Sequence, residues 1–363
     1  MVDSFLAVEY VTLGAYDSDE FSLATKVFTK RILRDRFCLL NERSNYKFSE
    51  VPTGIPSPCE RCFSDIMDEV AWELVSSYYK IAVSWSGGLD STAVLVALLR
   101  ALGCDSYHRL SVFCTEGSIE EAPNFYKLLK KLGIHVVVDY NLLDAIGATK
   151  CDVITTGCGA DSFFASTTLG ASPSLYHMPV VEGIRAAWGQ NNQCSVLTRK
   201  QAVDIADMFG FYASAMGIDA KYFCDIAWLF EFGCRYTNGS EKLHMLLGGQ
   251  PNCEKCKAFF LHPLFSQWAI GRFYINRRTN PYLEPTEYKA ELRQYIYEFD
   301  HDVVYNQTKQ KANSLLTMAL PSKAINILTL DGVVSINNGK GLRQVCNMEE
   351  VRDMLRKSSE KRS

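Results

Sequence analysis

The sequence predicts an α/β protein with a doubly wound parallel sheet and a mainly helical C-terminal half. Short apolar runs alternate with stretches that predict helices from residue 80 to residue 157, the pattern of strands joined by helical crossovers. The first run continues into a glycine pair, and two of the predicted helices end at Gly103 and Gly133, as helices commonly do. Beyond about residue 195, apolar periodicity continues without alternating strands. In such sheets, ligands bind at the carboxyl ends of the strands.

The N-terminal region, residues 1–60, has a mixed pattern. Runs 5–13 and 35–42 predict strands, and the stretch 22–33 predicts either a helix or a pair of strands. Residues 51–62 contain three prolines and a glycine, which predicts a loop. We place the boundary of the main domain in this loop.

Residues 61–195 form the predicted α/β core. The stretch 64–79 carries Ile66, Val70 and Leu74 on one face, which predicts an amphipathic helix. The elements that follow are strand 80–86, helix 90–103, strand 108–117, helix 119–133, strand 134–141 and strand 151–157. Right-handed crossovers would place these strands parallel in one sheet.

The C-terminal half divides into two predicted parts. Residues 196–312 form a helical part on the substrate side, with apolar periodicity in 201–217, 222–233 and 262–276. Residues 313–363 form an extension with two short apolar runs and a charged end, of which the last eight residues are expected to be frayed.

Composition excludes several classes of protein. Hydrophobic residues make up 47% and charged residues 22% of the 363 positions, which excludes intrinsic disorder of the whole chain. The net charge is −3, so no chain-wide basic excess favours a nucleic-acid partner. The apolar runs are shorter than the ~20 residues that cross a bilayer. The start of the chain has an acid at Asp3 and no basic segment, so it does not resemble a signal peptide. We therefore expect a cytoplasmic protein with no membrane partner, whose 13 cysteines do not form a disulfide framework.

The most informative segment is the turn after the first strand, residues 86–92, which we term the phosphate loop. A glycine pair lets the backbone approach an anion closely, and the amides at a helix N-terminus point towards it. The next helix begins at or near Asp90, and a carboxylate on its own would repel phosphate. Asp90 therefore predicts Mg²⁺ bridging to phosphate oxygens. The loop residues are Ser86, Gly87, Gly88, Leu89, Asp90, Ser91 and Thr92.

This loop has two other interpretations. A Walker A loop is excluded, because no lysine follows the glycines and the spacing differs. A plain glycine turn with Asp90 as a helix cap is the alternative. The order of strand, Ser-Gly-Gly, Asp-Ser and helix favours a phosphate site.

Ser-Gly-Gly-x-Asp-Ser after a first strand resembles the pyrophosphate loop of the PP-loop ATP pyrophosphatases. The resemblance implies a HUP-like nucleotide-binding domain that uses ATP and Mg²⁺ and cleaves ATP to AMP and pyrophosphate. Members activate a carboxylate, amide or carbonyl oxygen as an adenylate, which a nucleophile then displaces. The resemblance to this family covers roughly residues 65–310 and is strongest at 80–165.

The turn after the fourth strand is similar to a motif of the asparagine synthetase branch, Ser-Gly-Glu-Gly-Ala-Asp-Glu-Leu-Phe. Gly157, Gly159, Ala160, Asp161 and Phe164 match it. The resemblance implies that Asp161 shares the Mg²⁺ with the carboxylate of the phosphate loop and that the glycine at the start of the turn lies at the nucleotide. A plain strand-to-helix turn is the alternative interpretation.

Two positions of this turn depart from the family pattern. Cys158 stands where relatives carry a substrate-facing glutamate, and Ser162 where they carry a second acid. Cys158 is either a nucleophile or a small packed side chain, and packing is the preferred interpretation. An amino-acid substrate like that of asparagine synthetase is therefore in doubt.

Two further sets of residues follow from the resemblance. Lys289 and Arg293 match Lys-x-x-Leu-Arg and would share one helix face beside the triphosphate, unless they belong to a solvated helix. Val112, Phe113 and Cys114, at the carboxyl end of the second strand, would contact adenine through backbone groups.

Two Cys-x-x-Cys pairs nearly repeat each other: Cys59 with Cys62 and Cys253 with Cys256. Together they supply the four thiolates of a structural Zn²⁺ site, which would join the N-terminal loop to the helical half. Redox pairs or unpaired thiols are the alternatives.

The leading hypothesis is an AMP-forming ligase that adenylates a carboxylate and transfers it to ammonia or an amine. About 60 residues precede the core and Val2 follows Met1, so a glutaminase domain is not expected; a separate protein or the solution would supply the nitrogen donor. One alternative is a PP-loop enzyme that modifies a nucleobase or tRNA, by thiolation or as 7-cyano-7-deazaguanine synthase does. The other is a nucleotide-binding regulator without turnover.

Overall fold

The computed structural model describes residues 57–139, 150–164, 173–191, 197–234, 255–273 and 287–309, with Val27, Ile55 and three short strands beyond residue 324. In these ranges the fold is α/β. No helix within them is both long and apolar enough to cross a membrane. The predicted strands 5–13 and 35–42 and the predicted frayed tail lie outside the described residues.

A five-stranded, all-parallel sheet forms the centre of the molecule, with strand order β3-β2-β1-β4-β5. Its strands are β1 (Ile81–Ser84), β2 (Leu110–Cys114), β3 (His135–Val138), β4 (Val153–Thr156) and β5 (Cys256–Ala258). The chain adds β2 and β3 on one side of β1 and then returns to place β4 on the other. The strand order therefore reverses between β1 and β4, and a crevice forms there at the carboxyl ends of the strands. The architecture confirms the predicted parallel α/β class and is compatible with double winding.

Helices connect and flank these strands. Their bounds are α1 (Phe63–Ser77), α2 (Leu89–Leu102), α3 (Glu116–Glu121), α4 (Pro123–Lys131), α5 (Ala160–Phe163), α6 (Val180–Asn191), α7 (Arg199–Ala215), α8 (Phe223–Leu229), α9 (Pro263–Gly271), α10 (Ala290–Asp300) and α11 (Val303–Thr308). α2 is the central helix: its residues from Ala93 to Leu99 are all buried. A helix without a polar face in that stretch must be covered on all sides. Its burial in the core holds the start of α2 beside β1.

The predicted helix 119–133 is instead two helices, α3 and α4. Ala122 lies between them at φ −145° and ψ 66°, and Pro123 begins α4. Proline has no amide to continue a helix but suits a first turn. Thr115 caps α3 by accepting a hydrogen bond from the Ser118 amide at 3.3 Å. As a result α3 is a separate short element that packs beside the phosphate loop.

β5 lies in the region predicted to be helical. It pairs in parallel with β4, with Ile154 opposite Cys256. Its three residues, Cys-Lys-Ala, are too few to show a strand periodicity. The helical half is therefore joined to the core by an edge strand.

The C-terminal extension contains a second, antiparallel sheet of β6 (Ile325–Thr329), β7 (Gly332–Ile336) and β8 (Leu342–Cys346). The two apolar runs of the sequence form β6 and β7, which pair with Ile327 opposite Val334. The sequence analysis did not identify β8.

Candidate functional site

The phosphate loop connects β1 to α2, as predicted. Gly87 has φ 73°, in the left-handed region that favours glycine. A Cβ at this position would lie 2.3 Å from the carbonyl oxygen of Ser118 and 2.7 Å from Cβ of Glu121. The loop is therefore packed directly against α3, and glycine is required here both for conformation and for space.

The hydroxyl groups of the loop bond mainly to the loop itself. Oγ of Ser91 accepts from the Ser86 amide at 3.0 Å and lies 2.9 Å from Oγ of Ser86. The Gly88 amide donates to Oγ of Ser86 at 3.3 Å. Leu89 is buried and begins α2. These bonds hold the loop in a closed curve at the start of the helix, where backbone amides can bind an anion.

The turn after β4, residues 157–162, lies against this loop. A Cβ at Gly157 would be 2.5 Å from the Ser91 amide nitrogen and 2.7 Å from the carbonyl carbon of Asp90. Gly159 has φ 100° and directs the chain into α5. The two glycine-rich motifs of the sequence are thus neighbours in the crevice between β1 and β4.

Replacement of Gly157 by alanine tests this contact. The added methyl group would meet backbone atoms, which cannot rotate away, so we expect a loss of about 1–3 kcal/mol of stability and weaker ATP binding. Denaturant unfolding and calorimetric titration with ATP measure the two effects. Gly189→Ala is the control: Gly189 lies in α6 with open space around it, and alanine there should add up to about 1 kcal/mol. Normal stability and ATP affinity of Gly157→Ala would contradict the contact.

Lys289 joins the two predicted acidic residues. Its Nζ donates to Oδ1 of Asp90 at 2.5 Å and to Oδ1 of Asp161 at 2.7 Å. The hydroxyl of Tyr288 also donates to Oδ1 of Asp161, at 3.2 Å. Three sequence-predicted residues, separated by up to 199 positions, therefore converge on one point at the carboxyl edge of the sheet.

The environment of Lys289 strengthens these ion pairs. Its side chain is 5% exposed, whereas those of Asp90 and Asp161 are 22% and 42% exposed. Burial alone would lower the pKa of Lys289, but the charges of Asp161 and Asp90 outweigh it and hold the pKa well above its ordinary value. Lys289 has φ 56°, a left-handed conformation unusual for a non-glycine residue. Such strain at a buried, charged residue is typical of functional sites.

Arg293 differs from the prediction. Lys289 is the residue before α10 rather than part of it, so the two cations do not share a helix face. The Arg293 guanidinium is buried and donates to the carbonyls of Tyr288 at 3.0 Å, of Lys309 at 2.5 Å and of Asn306. Arg293 therefore binds backbone before α10 and at the end of α11, and of the two cations only Lys289 contacts the carboxylates.

Cys158 is half-buried in the turn after β4, and its amide donates to Oγ1 of Thr156 at 3.3 Å. Ser162 is buried, and its hydroxyl donates to the Gly159 carbonyl at 2.7 Å. Where the family motif has a second acid, this chain thus uses a hydroxyl that stabilises the turn. The structure places Cys158 in the crevice region without assigning it a chemical role.

The three residues predicted to contact adenine are core residues of β2. Val112, Phe113 and Cys114 are buried, and burial raises the pKa of Cys114 to about 11. The Phe113 carbonyl accepts from the Trp85 amide at 2.8 Å and the Cys114 carbonyl from the Asp139 amide at 3.0 Å. These two carbonyls therefore accept hydrogen bonds that extend the pairing of β2 with its neighbours by one residue on each side.

The donor set of the crevice fits Mg²⁺. Two carboxylates from Asp90 and Asp161, completed by phosphate oxygens, are the ligands that Mg²⁺ commonly uses. Each carboxylate has two oxygens with about two acceptor sites each, so the carboxylates can bind a metal ion as well as the Lys289 ammonium. Within the described ranges, no three or more His, Cys, Asp or Glu side chains cluster into a metal site.

Tyr305 is a residue at the site that the sequence analysis missed. Its hydroxyl donates to the Gly87 carbonyl at 2.8 Å. Nearby, Nζ of Lys309 forms an ion pair with Glu121 of α3. Tyr305 is 218 positions from Gly87, and no motif connects them, so sequence patterns carry no signal for the contact.

Cys59, of the first cysteine pair, lies beside α9. The Cys59 amide donates to the Gln267 carbonyl at 3.2 Å, and Gly271 packs on the Cys59 carbonyl. Cys256 is the first residue of β5, the strand that precedes α9. Cys253 lies outside the described residues, so zinc binding stays a prediction.

Comparison of the chain with protein-family models and with curated proteins found no match.

Proposed function

We propose that this chain is a cytoplasmic, ATP-dependent ligase of the PP-loop type that adenylates a carboxylate and passes the acyl group to ammonia or an amine. The observation that carries the proposal is the convergence of Asp90, Asp161 and Lys289 at the point where the strand order reverses. A buried cation and two carboxylates beside a glycine-rich helix start suit an ATP-Mg²⁺ complex better than a neutral ligand.

The residues of the site have different roles, and the charge of each group sets its role. Backbone amides of the phosphate loop bind the β- and γ-phosphates, and the loop packing holds them in place before ATP arrives. Mg²⁺, when held by Asp90 and Asp161, neutralises phosphate oxygens. Lys289 adds a fixed positive charge where the leaving pyrophosphate gains negative charge.

The proposed reaction has two steps. A substrate carboxylate oxygen attacks the α-phosphorus, the bond from that phosphorus to the bridging oxygen breaks, and pyrophosphate leaves with the electron pair. The amine nitrogen then attacks the acyl carbon, AMP leaves, and the nitrogen loses a proton. For the first step the chain contributes mainly positioning and charge stabilisation.

The decisive experiment is exchange of labelled pyrophosphate into ATP in the presence of pooled carboxylates. Exchange reports the reversible adenylation step and does not require the amine. Carboxylate-dependent exchange is the expected result, and AMP rather than ADP is the expected nucleotide product once the amine is added. AMP formation that requires a nucleobase or RNA would replace this proposal by base modification. ATP binding without cleavage under any condition would identify a regulator.

A structural Zn²⁺ site is a second, independent proposal. We expect about one zinc per chain in protein purified without chelator, held by Cys59, Cys62, Cys253 and Cys256. The position of Cys59 against α9 supports it, because α9 begins seven residues after Cys256 in the chain. Cys59→Ser and Cys253→Ser should each lower the melting temperature, and the double variant should lose no more than either alone. Zinc-free protein of normal thermal stability would contradict the site.

A further inference from the structure

Four residues form a buried hydrogen-bonded chain behind the phosphate loop. Nε1 of Trp85 donates to Oγ1 of Thr92 at 2.9 Å. Oγ1 of Thr92 lies 3.1 Å from the hydroxyl oxygen of Tyr305, which lies 2.8 Å from the Gly87 carbonyl oxygen. This hydrogen-bonded chain begins at Trp85, the residue after β1, and ends at Gly87 in the phosphate loop. Trp85 and Thr92 are fully buried.

The chemistry of its two ends fixes the direction of this chain. An indole nitrogen can only donate, and a carbonyl oxygen can only accept. Tyr305 has a single hydroxyl proton, which must go to Gly87, so the Thr92 hydroxyl donates to Tyr305 while accepting from Trp85. Burial raises the pKa of Tyr305, so its hydroxyl keeps its proton at neutral pH. The three hydrogen bonds therefore all run in one direction, from Trp85 through Thr92 and Tyr305 to the Gly87 carbonyl.

This chain fixes the orientation of one peptide group. The peptide between Gly87 and Gly88 is trans, so its carbonyl and its amide point in opposite directions. Because the carbonyl faces Tyr305, the Gly88 amide faces away, towards Oγ of Ser86 at 3.3 Å. That distance is long for an N–H···O hydrogen bond, and an anionic oxygen is a stronger acceptor than a hydroxyl.

Tyr305 is itself held by the segment around it. Arg293 donates to the carbonyls of Asn306 and Lys309, which bracket the end of α11. The Asp302 side chain caps α11 by accepting from the Tyr305 amide at 2.9 Å. The buried Arg293 of the family-like motif therefore acts on the loop indirectly, by fixing the helix that carries Tyr305.

We infer that Tyr305 is a positioning residue of the proposed nucleotide site, which holds the Gly87–Gly88 peptide so that the Gly88 amide points at a bound pyrophosphate group. This inference rests on the proposed function, because it requires the loop to bind pyrophosphate or ATP. Glycines on both sides of a peptide allow it to rotate, so an external hydroxyl is needed to keep it in one orientation.

The test compares Tyr305→Phe with Tyr295→Phe. Both substitutions remove one hydroxyl from a buried tyrosine, but the Tyr295 hydroxyl donates to Asp68 of α1, away from the loop. Calorimetric titration of the full chain with magnesium pyrophosphate measures affinity, and thermal unfolding measures stability. We expect Tyr305→Phe to weaken pyrophosphate binding about tenfold and Tyr295→Phe to leave it unchanged, although both lower the melting temperature.

Thr92→Val provides a second route if Tyr305→Phe does not fold. It removes the hydroxyl that donates to Tyr305 and should weaken pyrophosphate binding in the same direction. Equal affinity of wild type and both folded variants would overturn the inference and leave the proposed function intact. Wild-type protein that binds neither pyrophosphate nor ATP would overturn both.

Discussion

Lys289→Met is expected to reduce ATP–pyrophosphate exchange by at least about a thousandfold. Methionine keeps the length and apolar stem of the side chain but removes the only charge that contacts both Asp90 and Asp161 among the described residues. The leaving pyrophosphate then loses the fixed positive charge of a side chain that is only 5% exposed, where charges interact more strongly than in water.

The same substitution is expected to destabilise the fold. It leaves two neighbouring carboxylates without their shared cation, at a cost of about 2–3 kcal/mol, below the range for a fully buried pair because Asp90 and Asp161 are 22% and 42% exposed. Lys200→Met is the matched control, since Lys200 is 84% exposed in its pair with Asp204. It should change stability by less than about 0.5 kcal/mol and leave exchange unaffected.

The contribution of Lys289 to the stability of the fold depends on pH with a defined sign. The pKa of Lys289 is raised in the folded protein, so its stabilisation is complete below the unfolded lysine pKa of about 10.4 and is lost as the pH rises through the folded value. The stability difference between wild type and Lys289→Met should therefore be constant from neutral pH to about pH 9 and shrink above about pH 10.4. A difference that disappears near neutral pH would contradict a charged, paired lysine.

Asp90→Asn is expected to abolish exchange while the protein stays folded. Asparagine has the same shape, but it removes one of the two carboxylates that would hold Mg²⁺. Asp207→Asn, on the exposed face of α7, makes the same change of charge away from the crevice and should retain exchange. Full pyrophosphate release by Asp90→Asn would overturn the assignment of the phosphate loop.

Combining the two substitutions separates charge balance from catalysis. Lys289→Met alone removes the cation that Asp90 and Asp161 share, whereas the double variant with Asp90→Asn also removes one of the two carboxylates. The double variant should therefore be more stable than Lys289→Met and equally inactive. Denaturant unfolding of the four proteins gives the interaction free energy, and an additive result would mean that the ion pair contributes nothing.

Features with a strong local signal could be predicted from the sequence. β1, β2, β3 and β4 follow apolar runs, α1 follows an apolar periodicity, and α2 follows an apolar stretch between a glycine pair and Gly103. Asp90 and Asp161 each follow a strand of the predicted parallel sheet, which favours one edge of the sheet for both, and the structure brings them to a shared partner.

Features decided by tertiary contacts could not be predicted. β5 has three residues and forms because β4 offers a parallel edge. The same Lys-x-x-Leu-Arg spacing permits both a shared helix face and the observed arrangement, in which a left-handed Lys289 turns its side chain away from Arg293. Tyr305 acts through a hydrogen bond to a backbone carbonyl, and any sequence can supply that acceptor.

The late position of β5 in the chain has a consequence for synthesis on the ribosome. β4 ends at Thr156 and its outer neighbour begins at Cys256, so at roughly 5–20 residues per second the edge of β4 stays unpaired for about 5–20 seconds. Unpaired edges recruit other strands, so the nascent chain is exposed to misassembly during this interval. Lys289 and Tyr305 emerge later still. A nascent chain that stops before them can contain all five strands of the parallel sheet, yet its two acidic residues lack their lysine and its phosphate loop lacks its tyrosine. Nucleotide binding would thus distinguish chains translated through residue 305 from shorter ones.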